Sequence, residues 1–479
     1  MTTQSTRLLT LLASALLIGC QSPSATPTPF GVSLTQSTSP QAALPDALTG
    51  GRSMPAGSYV PNELIVTLSA DADRETTLAG FAPRGELQLK ERFAAVKIPE
   101  GMPLNEAHAM LRARPGVKDV SLNLVFKAAS TEPAPARFAE QWAHRVTEAT
   151  DFWQTSPPPA TSDVIVAVID SGLDTAHPEF QGRIVAPQNF TSENDGVPTD
   201  PTDRHKHGTH VAGIIGAKGD QVVGVAPQVA IMPVKVLDIN NSGDTFSIIK
   251  GMAYACGEAV VEFDQQQNPM TRKTYLEYLP DGDTRRVRVI NMSLGGASHG
   301  RNALYEAGLA KAYEAGIVVV VAAGNDGSEV TTPGNSPYAL AVSSTSSYRL
   351  GDQLWEWLSG FSNRGNPIDL SAPGGQILST LPTYAYTDSK NNPQPQHFGY
   401  LSGTSMAAPY VAGVAALVAE KYPMQPGETP TAYVDKVRQH LMATSDDLGA
   451  PGKDPKYGWG RINVRKAMSA ATFPAPMPQ

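Results

Sequence analysis

The chain has 479 residues, 17% of them charged and 41% hydrophobic, with 42 glycines and 40 prolines. That length suggests about three domains, or one large domain with accessory segments, and the composition is globular and rich in turns. A formal charge of -8 with no basic run argues against a nucleic-acid binder, and two cysteines, Cys20 and Cys256, exclude a disulfide framework.

Arg7 precedes an apolar stretch, Leu8 to Gly19, too short to cross a bilayer, and residues 1–20 are expected to be an export signal. Its end, Leu17-Ile18-Gly19-Cys20, resembles the bacterial lipobox, in which the Cys carries lipid; an ordinary signal cut after Ala13-Ser14-Ala15 is the alternative. No later segment approaches a membrane span in length, so any membrane contact runs through Cys20. Residues 21–57 are rich in Ser, Thr, Pro, Ala and Gly and read as a flexible tether.

Residues 58–130 predict a small α+β domain. A strand is expected over Glu63 to Leu68, then a short polar turn or helix, a strand in "RFAAVKIP", a helix in "LNEAHAMLRARPG" ended by Pro115-Gly116, and a strand in "VKDVSLNLVFKA". Pro-rich breaks, "STEPAPARF" and "TSPPPATS", follow. Residues 131–472 read as one α/β unit. Buried strands are predicted in "DVIVAVID", "VAIMPVKVLD", "VRVINMSL", "GIVVVVAAGN" and "YALAVSS", with helices starting near His207, Phe246, Asn302 and Thr404. Cys256, in "GMAYACGEA", is expected to be a buried free thiol in a helix. The alternation implies a mostly parallel central sheet with helices on both faces, whose ligands bind at the carboxyl ends of the strands.

Those ends carry chemistry. Asp170 closes the first strand, as a stiffly held carboxylate or a plain turn residue. His207 and His210 in "HKHGTHVAGIIG" have one-face helical spacing, but the His-Glu-x-x-His zinc pattern is absent. His207 is favoured because Gly208 leaves open backbone beside it, while His210 runs into the core-like "VAGII"; His205 has the setting of a charged loop. Asn325, after "VVVVAAG", is either a turn residue or an amide donor to an oxyanion. Ser405 in "LSGTSMAAPY" sits where a loop becomes a helix, as a cap or as a nucleophile, with Pro409 fitting a first helical turn.

The stretches "VAVIDSGLDTAHPEF", "HGTHVAGIIG", "INMSLGG", "VVVAAGNDG" and "LSGTSMAAPYVAGVAAL", in that order, resemble the subtilisin-like serine peptidases, the subtilases, over roughly Gln141 to Met468. The resemblance implies a subtilisin-like fold and an Asp170–His207–Ser405 triad, with Asn325 in the oxyanion hole. It implies that Ser242, Gly243, Ser293, Leu294 and Gly295 flank an extended peptide, and that Ala323 and Thr331 line the pocket for the side chain before the scissile bond. Thr331 would narrow that pocket toward medium apolar side chains. It also implies that residues 58–130 are an inhibitory propeptide, cut between Ala128 and Glu140, and that protein and peptide substrates are the partners of a monomer. The alternative is a catalytically silent subtilase fold kept as a binding module.

The chain departs from the family in places. The segment from Glu258 to Val287 is long and predicts a surface hairpin near the substrate cleft, and Tyr384 to His397 is enlarged. Tyr410 stands where most relatives carry His, with no effect expected on the mechanism. No cofactor is required for the chemistry. After His207 the loop "GAKGDQVVGVAP" is short for a tight calcium site; the acidic loop with Asp195, Asp200 and Asp203 offers oxygen ligands for a weaker structural calcium, or is simply solvated.

Overall fold

A computed structural model describes residues 59–128, 141–155, 162–469 and Phe473, apart from positions 90, 194–196, 220, 264–268, 299, 351–352, 385, 388–392 and 395–396. The expected signal and tether, the span beyond Ala128 expected to contain the cut, Asp195 and part of the enlarged 384–397 segment lie outside these residues.

The first described unit is a sheet of β1 (Tyr59–Leu68), β2 (Ala82–Gln88), β3 (Arg92–Lys97) and β4 (Val117–Ala128), with helix α1 (Leu104–Arg112). The predicted short helix is a single turn at Arg74–Thr77. β2 escaped sequence analysis because "APRGELQ" contains Pro and Gly, which weaken a strand signal.

The larger unit begins with β5 (Val164–Asp170), β6 (Gln188–Asn189), α2 (His207–Gly216), β7 (Ala230–Lys235), β8 (Ser242–Asp244) and α3 (Thr245–Ala255). It continues through β9 (Val260–Phe263), β10 (Pro269–Arg272), β11 (Arg286–Met292), β12 (Leu294–Gly296), α4 (Ala303–Glu314) and β13 (Val318–Ala322). β14 (Ala339–Leu350), β15 (Gln353–Leu358), β16 (Ile368–Pro373), β17 (Ile377–Thr380), β18 (Phe398–Leu401), α5 (Thr404–Lys421) and α6 (Pro430–Ala443) complete what the site needs. The sheet order is β15-β14-β13-β11-β5-β7-β6, with β16 beside β14. All its pairings are parallel except β14–β15.

Strand periodicity splits the core. On β5, Ile165, Ala167 and Ile169 face one apolar cluster, shared with α3, α4 and the N-terminal unit, while Val164, Val166 and Val168 face the other, with α2, α5 and α6. Helix α5 is apolar on every side and buried from Thr404 to Ala419, as a helix sunk between other layers must be. Among the described residues no helix is long and apolar enough to cross a membrane. Cys256, just past α3, is a free thiol that burial pushes up to about 12, away from thiolate chemistry.

Candidate active site

The carboxyl ends of β5, β11 and β13 and the N-termini of α2 and α5 bring the predicted residues to one edge. Asp170, the last residue of β5, accepts from the Ser171 amide at 2.7 Å, and the same oxygen, Oδ1, meets His207 Nδ1 at 2.7 Å. Both side chains are fully buried. His207 opens α2 directly after Lys206, which is held at φ 95°, a strained left-handed conformation for a non-glycine residue.

Gly208 does not leave open backbone. A Cβ there would lie 2.1 Å from the Gly172 carbonyl oxygen, and one on Gly172, at φ +114°, would lie 2.1 Å from that of Pro201. The glycines let the start of α2 press against the end of β5, which brings the imidazole to the carboxylate. Ser171 Oγ completes the joint, accepting from the Gly208 amide at 2.9 Å and donating to Asp203 at 2.9 Å.

Asp203 was a calcium-ligand candidate; in the structure it is a buried hub. It accepts from Ser171, from the amides of His205 and Lys206, and from the amide and hydroxyl of Thr209. Burial alone would raise its pKa, but Lys235 and the Thr209 bonds outweigh it and hold the carboxyl below its usual range. Lys235, also fully buried, donates to the carbonyls of Ser171 and Leu237 at 2.6 and 3.0 Å and pairs with Glu193 at 2.9 Å. Among the described residues no three metal-ligating side chains cluster. His210 meets the carbonyls of Ile377 and Gly399 through Nε2 and is a core residue; His205 lies, as expected, in a loop between Arg204 and Lys206, partly buried, with its ring 6.4 Å from that of His207.

Ser405 is the second residue of α5. Its Oγ donates to the Ser293 carbonyl at 3.1 Å rather than to His207, while Ser293 Oγ donates to the Ser405 carbonyl at 2.8 Å. Pro409 sits in the second helical turn, not the first, four residues after Ser405, so it lacks the N–H that would have bonded that carbonyl. Asn325 accepts through Oδ1 from the amide and hydroxyl of Thr404, at 2.9 and 3.0 Å. This orients Nδ2 as a donor. Asn325 Nδ2, His207 Nε2 and Asp170 Oδ2 are all buried and have no hydrogen-bond partner in the fold. Buried polar atoms are normally satisfied, and His207 Nε2 and Asn325 Nδ2 are the two of these that a proton transfer and a developing oxyanion would use.

The predicted flanking segments hold an extended peptide already. β4 of the N-terminal unit runs antiparallel between β8 and β12: Lys127 pairs with Ser242 and Gly295, Phe126 with Gly243 and Gly296, and Ala128 with Leu294. Thr331 is buried beside this strand, its hydroxyl 3.4 Å from where a Gly295 Cβ would be. Ala323 is sealed in a small cluster with Val330, Ala341 and Ile368, so only its backbone can border a pocket.

Sequence reasoning missed Thr404, Ser171 and Asn363. The last accepts from the amides of Asp326 and Ser328 and packs where a Cβ on Gly324 would be, 2.3 Å from its Nδ2, shaping the Asn325 turn. Thr404 and Ser171 had only their place beside Ser405 and Asp170 as a signal, and Asn363, in the polar "SNRGN", had none.

An acid, an imidazole and an alcohol beside an oriented amide donor, at the carboxyl edge of a parallel sheet, make up a serine-hydrolase type of site. The profile of the subtilase family matches residues 161–460. The chain is 30% identical over 423 residues to the thermophilic serine proteinase of Bacillus sp. (strain AK1), across 86% of this chain and 88% of that one. It is 36% identical over 316 residues to subtilisin of Bacillus pumilus, across 64% and 91%. The crystal structure of fervidolysin from Fervidobacterium pennivorans is similar with a TM-score of 0.64 at 24% identity, covering 88% of this chain and 63% of that one. The chain belongs to the subtilase family of subtilisin-like serine endopeptidases.

Proposed function

We propose that the protein is an exported serine endopeptidase that hydrolyses peptide bonds through an acyl-enzyme and matures by cutting off its own N-terminal domain. The seating of β4 between β8 and β12 carries this reading. A chain bound through its backbone, with its end leading toward Ser293 and Ser405, is bound as a substrate would be.

In the proposed chemistry Ser405 Oγ attacks the scissile carbonyl and His207 Nε2 takes its proton. Asp170, on Nδ1, keeps the ring oriented and stabilises its charged form. Charge developing on the carbonyl oxygen is met by Asn325 Nδ2 and by the Ser405 amide, an N-terminal helix N–H with no intrahelical partner. His207 then protonates the departing amine, and water hydrolyses the ester by the reverse proton path. Main-chain recognition suits flexible or unfolded protein of varied sequence, and Thr331 favours medium apolar side chains before the scissile bond. Export by the signal, lipid on Cys20 of the precursor, a monomeric state and a weak structural calcium belong to the same proposal. Removing the N-terminal domain would release the peptidase from any anchor at Cys20.

The test is expression from Cys20 onward beside Ser405→Ala. The parent is expected to shorten and to digest casein, and the variant to do neither. If both stay full length and inert, the binding-module alternative stands.

A further inference from the structure

The long segment from Glu258 to Val287 does form a hairpin, but the hairpin does not border the peptide strand. β9 and β10 pair with each other, and β9 then pairs with β2 of the N-terminal domain at Glu262 and Gly85. The resulting sheet runs β10-β9-β2-β3-β1-β4-β12, with β8 also on β4. Strands of the peptidase unit therefore close both edges of the N-terminal domain's sheet. One edge is the cleft; the other, three strands away, is the hairpin.

The hairpin is fixed to the peptidase side. Glu262 on β9 is bonded by Lys250 of α3 and by Arg272 of β10. Strand β2 meets the same helix. Arg84 bridges Glu63 on β1 and Asp244, the residue capping α3, at 2.9 Å each, and a Cβ on Gly85 would come 2.7 Å from the Phe246 ring. An exposed β2 edge would offer unpaired backbone groups; here β9 pairs with it at Gly85.

We propose that the β9–β10 hairpin, with the N-terminus of α3, is a retention surface for the cut N-terminal domain: it grips β2 so that the domain stays over the cleft after its covalent link is gone. This rests on the proposed self-cleavage. Cutting beyond β4 touches neither Gly85–Glu262 nor Arg84–Asp244. The hairpin would then set how long the cut domain stays over the cleft. The partner is the domain's own β2 edge, recognised by backbone pairing and one guanidinium.

The test uses the full-length chain with the hairpin replaced by a short glycine-serine turn, and a second variant, Arg84→Ala, which leaves every residue of the peptidase unit in place. In a Ser405→Ala background, which needs no catalysis, hydrogen exchange at Ala82–Gln88 is expected to quicken by about tenfold or more in each variant. Unchanged exchange in both overturns the proposal, and an effect of Arg84→Ala alone overturns the hairpin's part. With Ser405 intact, the interval between cutting, seen on a gel, and activity toward a small peptide is expected to shorten severalfold. The cut fragment is expected to stop co-eluting with the peptidase, with kcat toward the peptide unchanged. An equal interval and persistent co-elution overturn the proposal. Absence of any cutting would refute self-cleavage instead, and the exchange result would still decide whether the hairpin grips β2. If the hairpin variant does not fold, the unaltered chain decides: exchange at Val260–Phe263 must quicken once the cut domain is lost, and equal rates overturn the proposal.

Discussion

Ser293 and Ser405 hold each other at two points, Ser405 Oγ on the Ser293 carbonyl and Ser293 Oγ on the Ser405 carbonyl, 3.1 and 2.8 Å. The second bond exists because Pro409 cannot supply the helical N–H that this carbonyl would otherwise receive. Ser293→Ala is expected to leave a buried carbonyl unsatisfied, costing about 1–3 kcal/mol. Thermal melting of the Ser405→Ala chain with and without this change checks it. An unchanged melting temperature would show that the bond does not support the α5 start.

Asn325 separates two roles by atom. Oδ1 holds Thr404, and Nδ2 is the orphan donor. Asn325→Asp keeps the acceptor and loses the donor, so kcat is expected to fall about 10²–10³-fold with KM nearly unchanged. Steady-state kinetics on a peptide substrate measure both. A loss confined to KM would remove Asn325 from the oxyanion site.

The register of β4 narrows the proposed cut. Ala128 pairs with Leu294, one residue short of Ser293, whose carbonyl accepts from Ser405 Oγ. That register favours a cut one residue past Ala128. N-terminal sequencing of the processed protein is expected to begin at Ser130, and a start further along would mean that another segment reaches the site first.

Acid should destabilise the fold through His144 and His210. Burial pushes His144 down to about 4 and His210 to about 3. The unfolded chain's imidazoles take protons near pH ~6.5. From there down to the folded values the unfolded state binds more protons, so stability falls as pH falls, by on the order of 1 kcal/mol per pH unit for each group. Melting of the Ser405→Ala chain between about pH 7 and about pH 4 should show this slope, and His144→Gln should make it shallower. A flat profile would contradict the burial of the two imidazoles.

Most of the sheet was legible in the sequence. The expected strands β5, β7, β11, β13 and the start of β14 are largely apolar and buried on both faces, whereas β6, β15 and β16 gave no such signal; the helices begin within a residue of the expected Phe246, Asn302, His207 and Thr404. β2 was not, because its Pro83 and Gly85 look like loop and only pairing on both sides makes them strand. Tyr410, a departure from the family with no effect expected on the mechanism, has a structural part that its motif does not announce: its hydroxyl meets His144 and Thr147 at 2.7 Å each, tying the segment after residue 141 to α5. No local pattern joins residues that lie more than 250 positions apart.

The sequence alone singled out Asp170, His207, Asn325 and Ser405 as candidates, because each lies at or just past a strand end or at a helix start inside a long motif. The tertiary structure decided how they are held. Gly172 and Gly208 allow two backbones to touch, Asp203 and Lys235 brace that joint, Ser293 replaces the hydrogen bond that Pro409 removes, and β9 extends the sheet of the N-terminal strands. Each of these is a contact between segments distant in the chain, and its energy comes from close approach and desolvation, which exist only once the chain has folded.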